Sequence, residues 1–138
     1  MAVTAAVCNS FKKELLAMTP HTAADTYTMA LFTQAAATMS KSTTVYSATG
    51  EVTGIGYDAG GKALTGFTVN ISGDTAYLTF DNPVWTTATI TADCALIYNA
   101  SRSNKAVAVL TFGSTSSTAG TFTIALPAAG ATAVITIA

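Results

Sequence analysis

The chain has 138 residues; half of them are apolar and only 9% carry a charged side chain. An average soluble domain has about 25% charged residues. Six Lys and Arg against seven Asp and Glu give a formal net charge of −1, which leaves no basic field to bind nucleic acid. Low charge combined with high apolar content favours burial of surface against other protein. We therefore expect a homo-oligomer, dimeric or trimeric, or a protein bound to a larger assembly.

The first twenty residues have the periodicity of an amphipathic helix. Val7, Phe11 and Leu15 recur at intervals of four residues, which places them on one helical face. Pro20 ends the pattern, because the residue before a proline is disfavoured in helical geometry. We predict a helix over about residues 4–18, and its apolar face (Val7, Phe11, Leu15) is a candidate partner contact.

From residue 26 onward, apolar and polar residues alternate in short segments, which is typical of β-strands. We predict strands at residues 27–33, 51–57, 63–71, 75–80, 84–91, 95–98, 106–112, 121–126 and 133–137. Since no helical pattern lies between them, the predicted fold is mainly β. It is one domain over residues 1–138, an antiparallel β-sandwich, jelly-roll or Ig-like, of eight to nine strands with one N-terminal α-helix. Two predicted loops, 40–49 and 113–120, are further candidate contact elements.

Few features of the sequence point to catalysis or metal binding. The sequence contains no run of 18 apolar residues, the length that would predict a membrane-spanning helix. The glycines of residues 54–61 lack the spacing and the following helix of a phosphate-binding loop, and we interpret them as turn and bulge residues. The aspartates at 58, 74, 81 and 93 fall in or near predicted turns, although a calcium site among loop carboxylates stays open. We expect no enzyme activity, no small-molecule substrate, no cofactor and no bound metal.

The single histidine, His21, leaves little for acid–base chemistry near neutral pH. It could form a nucleophilic triad with Asp25 and either Ser10 or Ser40, but no nucleophile-elbow motif supports this. Because His21 follows the proline that ends the helix, we interpret it as a solvated or capping residue.

Trp85 and the two cysteines complete the set of candidate residues. Trp85 begins a predicted strand, where an aromatic residue is normally part of the core. The alternative is a partner contact or a sugar-stacking platform, to which the dispersed Tyr46, Tyr57, Tyr77 and Tyr98 could contribute. Cys8 and Cys94 have neither the number nor the spacing of a disulfide framework or a metal site, so we predict two buried free thiols.

Several longer motifs resemble a family of small proteins encoded by tailed bacteriophages, including many that infect cyanobacteria and marine bacteria. The motifs lie at residues 8–16, 27–33, 46–57, 60–64, 85–92, 95–99, 105–113 and 120–124. The resemblance covers about residues 8–138 and implies a structural component of the virion. One departure is visible, since family members often carry Arg-Gly or Arg-Ala where this chain has Asp93 and Cys94.

What the resemblance implies is a capsid cement or decoration protein that binds the major capsid protein and stabilises the mature head. Such a protein is made in the bacterial cytoplasm and is located on the capsid exterior. The alternative is a tail, baseplate or fibre component with a receptor- or carbohydrate-binding role. Burial of the aromatic side chains would favour the first interpretation, and their exposure at one end of the sandwich would favour the second.

Overall fold

The computed structural model describes residues 3–34 and 39–137. Within these residues the fold is mainly β, with two antiparallel sheets and an N-terminal helix, as the sequence pattern predicts. In chain order the elements are β1 (Thr4–Val7), α1 (Asn9–Leu16), β2 (Tyr27–Phe32), β3 (Lys62–Ala63), β4 (Thr68–Ser72), β5 (Thr75–Thr79), β6 (Val84–Asn99), β7 (Lys105–Thr123) and β8 (Ile135–Ile137).

The larger sheet is built around one long hairpin. Its five strands lie in the order β1-β7-β6-β2-β3, and β6 and β7 are 16 and 19 residues long. Strand β2 pairs with the second half of β6, from Tyr27 opposite Asn99 to Phe32 opposite Cys94. All six residues of β2 are buried, so this part of the sheet is covered on both faces.

The smaller sheet has three strands in the order β4-β5-β8. Strands β4 and β5 form a hairpin with the two-residue turn Gly73–Asp74, and β8 pairs with the other side of β5. The C-terminal segment is therefore held by backbone pairing. Every residue of β4 is exposed, whereas those of β5 are half-buried.

The predicted helix over residues 4–18 is wrong at its N-terminal end. Residues Thr4–Val7 form strand β1, which pairs antiparallel with β7, and the helix spans only Asn9–Leu16. Cys8 has an extended conformation (φ −65°, ψ 138°) and separates the two elements. Pairing with a strand a hundred residues away satisfies the backbone groups of these residues and overrides their helical periodicity.

Several predicted strands have different bounds. Residues 84–91 and 95–98 belong to the single strand β6, and 106–112 joins part of 121–126 in β7, so the predicted 113–120 loop is strand. The predicted strand 63–71 is divided into β3 and β4, with Gly66 at φ 72° between them. Residues 40–49 form a loop, as predicted, with one isolated bridge at Val45.

The predicted strand 51–57 is an irregular segment with isolated bridges to β2 and β6. Its glycines allow backbone to approach backbone. A Cβ atom on Gly54 would lie 2.3 Å from the carbonyl oxygen of Thr89, and one on Gly61, further along, would lie 2.0 Å from that of Met29. Gly61 also has φ +89°, which confirms the expected positive φ at this glycine, while the close approach of backbone to backbone is a feature that the sequence did not predict.

Candidate functional site: an apolar groove beside the helix

An open groove of about 200 Å³ separates helix α1 from one face of the three-stranded sheet. We call it the apolar groove. Its apolar lining comes from the helix, the sheet and the segments between them, and includes Phe11, Leu15, Tyr27, Phe67, Val69, Leu78, Ile135 and Ile137. A second opening shares Leu15, Ile135 and Ile137 with it and continues to Leu16 and Lys12.

Strand register explains why the sheet wall of the groove is apolar. Val69 lies opposite Leu78, and Leu78 lies opposite Ile135 on the next strand. Two residues along, Ile71, Ala76 and Ile137 form the same kind of row. Residues in register, and residues two apart on a strand, point to the same face of a sheet, so all six side chains share one face.

The groove is bordered by large apolar side chains that remain in contact with water. Leu16, the last residue of α1, is 86% exposed and lines the second opening. On the sheet side, Val69, Ile71 and Ile137 are 60%, 70% and 59% exposed. Single exposed apolar residues are common, but a group of them around one groove is typical of an interaction surface.

The structure brings two of the residues that the sequence proposed as partner contacts together and buries the other two. Leu15 is half-buried and lines the groove, and it shares the second opening with Val7, which is half-buried in β1. Phe11 is only 2% exposed because its ring packs edge-on against His21, with ring centroids 4.8 Å apart. Phe11 thus belongs to the core and reaches the groove only at its floor, which limits its role in any contact to support.

Trp85 is also a core residue, with 4% of its surface exposed. Its ring packs against Phe122 and Tyr57, and the ammonium group of Lys62 lies 5.9 Å from the ring centroid. Of the four tyrosines proposed with it for sugar stacking, Tyr57 and Tyr98 are 8% and 5% exposed, and Tyr46 and Tyr77 are half-buried. These rings form no exposed platform on the isolated chain.

A polar network lies behind the groove, centred on His21. The side chain of His21 is 1% exposed, so its interpretation as a solvated residue is wrong. Its Nε2 is 2.9 Å from Oε1 of Glu14, and its Nδ1 is 3.1 Å from Nδ2 of Asn99. Because both ring nitrogens have these partners, neither is free to activate Ser10 or Ser40, and the triad arrangement is not formed.

Asp25 belongs to the same network through Asn99. Its Oδ2 accepts hydrogen bonds from Nε of Arg102 and from Nδ2 of Asn99, each 2.9 Å long. These bonds, that of Arg102 first, hold the pKa of the Asp25 carboxyl well below its usual range. The network ties the segment after the helix to the β6–β7 turn, which is a structural task.

A second polar cluster surrounds Glu51. Its carboxylate accepts hydrogen bonds from the hydroxyls of Tyr46 and Tyr57, both 2.5 Å long, and from the backbone N–H of Gly60 at 2.8 Å. Burial, and then Glu51, raise the pKa values of both tyrosines above the usual range. Tyr98 stacks on Tyr46 and donates to the carbonyl of Gly60, so the cluster anchors the 46–61 segment on the sheet.

The two cysteines are buried free thiols, as predicted. Burial raises the pKa of Cys8 to about 11 and that of Cys94 to about 12, which keeps both protonated and poorly nucleophilic. Across residues 3–34 and 39–137, no group of three or more His, Cys, Asp or Glu is arranged to hold a metal ion. In the same residues, no helix is long and apolar enough to cross a membrane.

The geometry defines a two-sheet β protein whose most distinctive surface feature is an apolar groove. Comparison with family models, with curated proteins and with solved structures finds no match to this chain. The function therefore has to be argued from the groove and from the sequence resemblance.

Proposed function

We propose that this chain is a structural protein of a bacteriophage particle, a cement or decoration protein without enzyme activity. It binds the major capsid protein on the exterior of the mature head, as a homo-oligomer, after synthesis in the bacterial cytoplasm. The single observation that carries the proposal is the group of exposed apolar side chains around the apolar groove. The sequence resemblance supplies the identity of the assembly.

The groove supports docking by apolar burial. Fully burying a Leu, Ile, Val or Met side chain contributes about 1.5–3 kcal/mol. Val69 and Ile137 of the groove and Leu16 of the second opening are each more than half exposed, and among the described residues Lys12 is the one Lys, Arg, Asp or Glu that lines either of them. Covering this surface removes much apolar area from water and requires little desolvation of charge, which suits a permanent contact in an assembled shell.

The rest of the fold suits a protein that must not deform when the shell is under load. The long β6–β7 hairpin pairs along most of its length, and both chain ends are tied to sheets through β1 and β8. Surfaces rich in Ala, Thr and Gly lose little side-chain entropy on docking. A contact that exists only in the mature shell stabilises that state by linkage.

The alternative, a tail, baseplate or fibre component that binds sugar, depends on exposed aromatic rings. Trp85, Tyr57 and Tyr98 are buried in the isolated chain. The polar surface of the fold offers hydroxyl groups but no stacked aromatic platform among these residues. The arrangement of the aromatic residues therefore favours the cement role.

Cryo-EM of purified phage particles tests the proposal. We expect density for this chain at regular positions on the outer surface of the head, with the apolar groove against the major capsid protein. Density confined to the tail or a fibre, or absence of the chain from the particle, would contradict the cement role.

Add-back of purified chain to particles that lack it tests the groove itself. The double variant Leu16→Ser with Ile137→Ser should bind about tenfold more weakly or worse, because an exposed apolar side chain of the second opening and one of the groove lining are lost. Ile55→Ser is the matched control, since Ile55 is 74% exposed and lies outside the groove lining. Equal binding of both variants would rule out the groove as the contact.

A further inference from the structure

Strand β4 (Thr68–Ser72) is a free sheet edge. It is an outer strand of the three-stranded sheet, it pairs with β5 on one side, and all five of its residues are exposed. Among the described residues, no strand pairs with its other side. An exposed edge strand presents unpaired backbone N–H and C=O groups and is a template for pairing with another extended chain.

The hairpin geometry shows which backbone groups point outward. Ser72 and Thr75 flank the two-residue turn and form its closing hydrogen-bonded pair. Counting back along the alternating ladder, Asn70 is bonded to β5, whereas Val69 and Ile71 point their backbone groups away from it. The N–H of Ile71 is accordingly met by Oδ1 of its neighbour Asn70, at 2.8 Å.

We propose that β4 pairs antiparallel with β4 of a second copy, about a two-fold axis at Asn70, and joins two three-stranded sheets into one. This inference specifies the surface of the self-association contained in the proposed function, and it rests on that part of it. In this pairing Val69 of each copy exchanges both backbone hydrogen bonds with Ile71 of the other. The side chain of Asn70 releases the N–H of Ile71 to the new strand.

The sequence of β4 is self-complementary in this register. Thr68 and Ser72 are hydroxyl residues, Val69 and Ile71 are β-branched aliphatic residues, and Asn70 is central. Antiparallel pairing about Asn70 therefore places aliphatic against aliphatic and hydroxyl against hydroxyl, with no charge within the strand. Cross-strand pairs of this kind stabilise a sheet, and such a symmetric pattern fits a second copy better than an unrelated strand.

Pairing at β4 also covers exposed apolar surface. Val69 and Ile71 are 60% and 70% exposed, and they lie on the groove face of the sheet. In the joined sheet, Val69 of one copy packs beside Ile71 of the other. The apolar faces of the two sheets become continuous, while the second opening of each copy, at Leu16 on α1, stays free for a different partner.

A cysteine at the axis gives a position-specific test. In the proposed pairing, the two Asn70 residues face each other as a non-hydrogen-bonded pair, with Cα atoms about 4.5 Å apart, within the range that a disulfide spans. Asn70→Cys should form a disulfide-linked dimer on mild oxidation, read by non-reducing gel. Ser72→Cys is the matched control, because it faces Thr68 of the second copy. Native Cys8 and Cys94 are buried and do not interfere.

Light scattering of the purified full chain measures self-association without any phage particle. We expect a mass of about twice 14.0 kDa that falls toward one chain on dilution. Ile71→Lys should raise the dissociation constant about tenfold or more, while Ile55→Lys, at another exposed isoleucine, should leave it unchanged. Circular dichroism melts confirm that both variants fold.

Three results would overturn the inference. They are a wild-type chain that is monomeric from micromolar to millimolar concentration, a dimer insensitive to Ile71→Lys, and Asn70→Cys that cross-links no faster than Ser72→Cys. If the chain is monomeric and Ile71→Lys abolishes its binding to the head, β4 contacts the capsid protein and not a second copy. Failure of head binding alone leaves these solution results standing, so the two proposals fail separately.

Discussion

Asn99 and His21 are 78 residues apart in the chain and are joined by a hydrogen bond of 3.1 Å between Nδ2 of Asn99 and Nδ1 of His21. Asn99 is completely buried at the end of β6. The same amide nitrogen is 2.9 Å from Oδ2 of Asp25, and Oδ1 accepts the N–H of Ser101. One buried side chain thus connects the segment after α1 to the turn of the long hairpin.

Asn99→Ala should destabilise the chain by about 2–4 kcal/mol, because it leaves buried partners without their hydrogen bonds. The free energy of unfolding from urea titration measures the effect. Asn9→Ala, at an exposed position on α1, is the control and should stay within about 0.5 kcal/mol of wild type. A loss for Asn99→Ala no larger than that of the control would show that the network adds nothing to stability.

Acid should weaken the fold through Asp25. Its pKa in the folded chain is lowered by hydrogen bonds from Arg102 and Asn99, and then by those from Thr22, below the value of about 3.9 in an unfolded chain. A depressed folded pKa contributes stability that is fully present above about pH 5 and is lost as the pH falls through the folded pKa.

The free energy of unfolding, measured by urea titration between pH 6 and pH 2, should therefore fall with pH less steeply in Asp25→Asn than in wild type. Asp74→Asn, in the exposed β4–β5 turn, controls for the loss of one carboxylate. Identical slopes for Asp25→Asn and wild type would contradict the assignment.

Substituting two glycines that have positive φ should distinguish the cost of backbone strain from the cost of a steric clash. Gly61 (φ +89°) and Gly73 (φ +59°) both disfavour a side chain, but a Cβ on Gly61 would lie 2.0 Å from the carbonyl oxygen of Met29. A Cβ on Gly73 would meet nothing within 4 Å. Gly73→Ala should lower the free energy of unfolding by about 1–2 kcal/mol. Gly61→Ala should lower it by at least about 2 kcal/mol more, because the backbone at Met29 or Gly61 must move to make room for the side chain. Equal midpoints in thermal melts would contradict this difference.

The sequence predicted elements well where the pattern is local. Alternation located β2 and β5 to within one residue, and the mainly β class with an N-terminal helix is confirmed. The prediction was wrong where a strand pairs with a distant segment. Val7 matches the helical period of Phe11 and Leu15, but residues 4–7 pair with Thr111 and its neighbours in β7, which no local window contains.

The long hairpin shows a second limit. Residues 113–120 are rich in Gly, Ser and Thr and read as a turn, yet they continue β7. The pairing is interrupted by register shifts, and hydroxyl groups replace missing ladder bonds there. Ser117 Oγ donates to the carbonyl of Ala88, and Thr89 Oγ1 accepts the N–H of Ala119. Because these side-chain hydrogen bonds replace missing backbone ones, a sequence with the composition of a turn can continue the strand.

The sequence alone predicted only part of the residues around the groove. The helical stripe included Leu15, which lines one wall, but it also included Phe11, which His21 and the core cover. Leu16 lies off that stripe and could be found only by knowing which side of the short helix packs. The opposite wall requires β4, β5 and β8 to be in register, and that arrangement is tertiary.

Glu51→Gln should loosen the 46–61 segment while leaving the long hairpin intact. The carboxylate accepts from Tyr46, Tyr57 and the N–H of Gly60, and bonds to a charged acceptor contribute about 1.5–3 kcal/mol each. An amide keeps one acceptor oxygen and turns a donor toward the remaining hydroxyls. We expect a loss of about 2–4 kcal/mol in the free energy of unfolding.

Hydrogen exchange locates the effect of Glu51→Gln. The amide of Gly60, bonded to Glu51, should exchange faster, whereas that of Leu96, where β6 lies between β2 and β7, should change only as much as global stability does. Asp58→Asn, in the same segment, is the control for removing a negative charge there. Uniform acceleration across the chain would mean that Glu51 supports the whole fold, and unchanged exchange at Gly60 would mean that its hydrogen bond protects nothing.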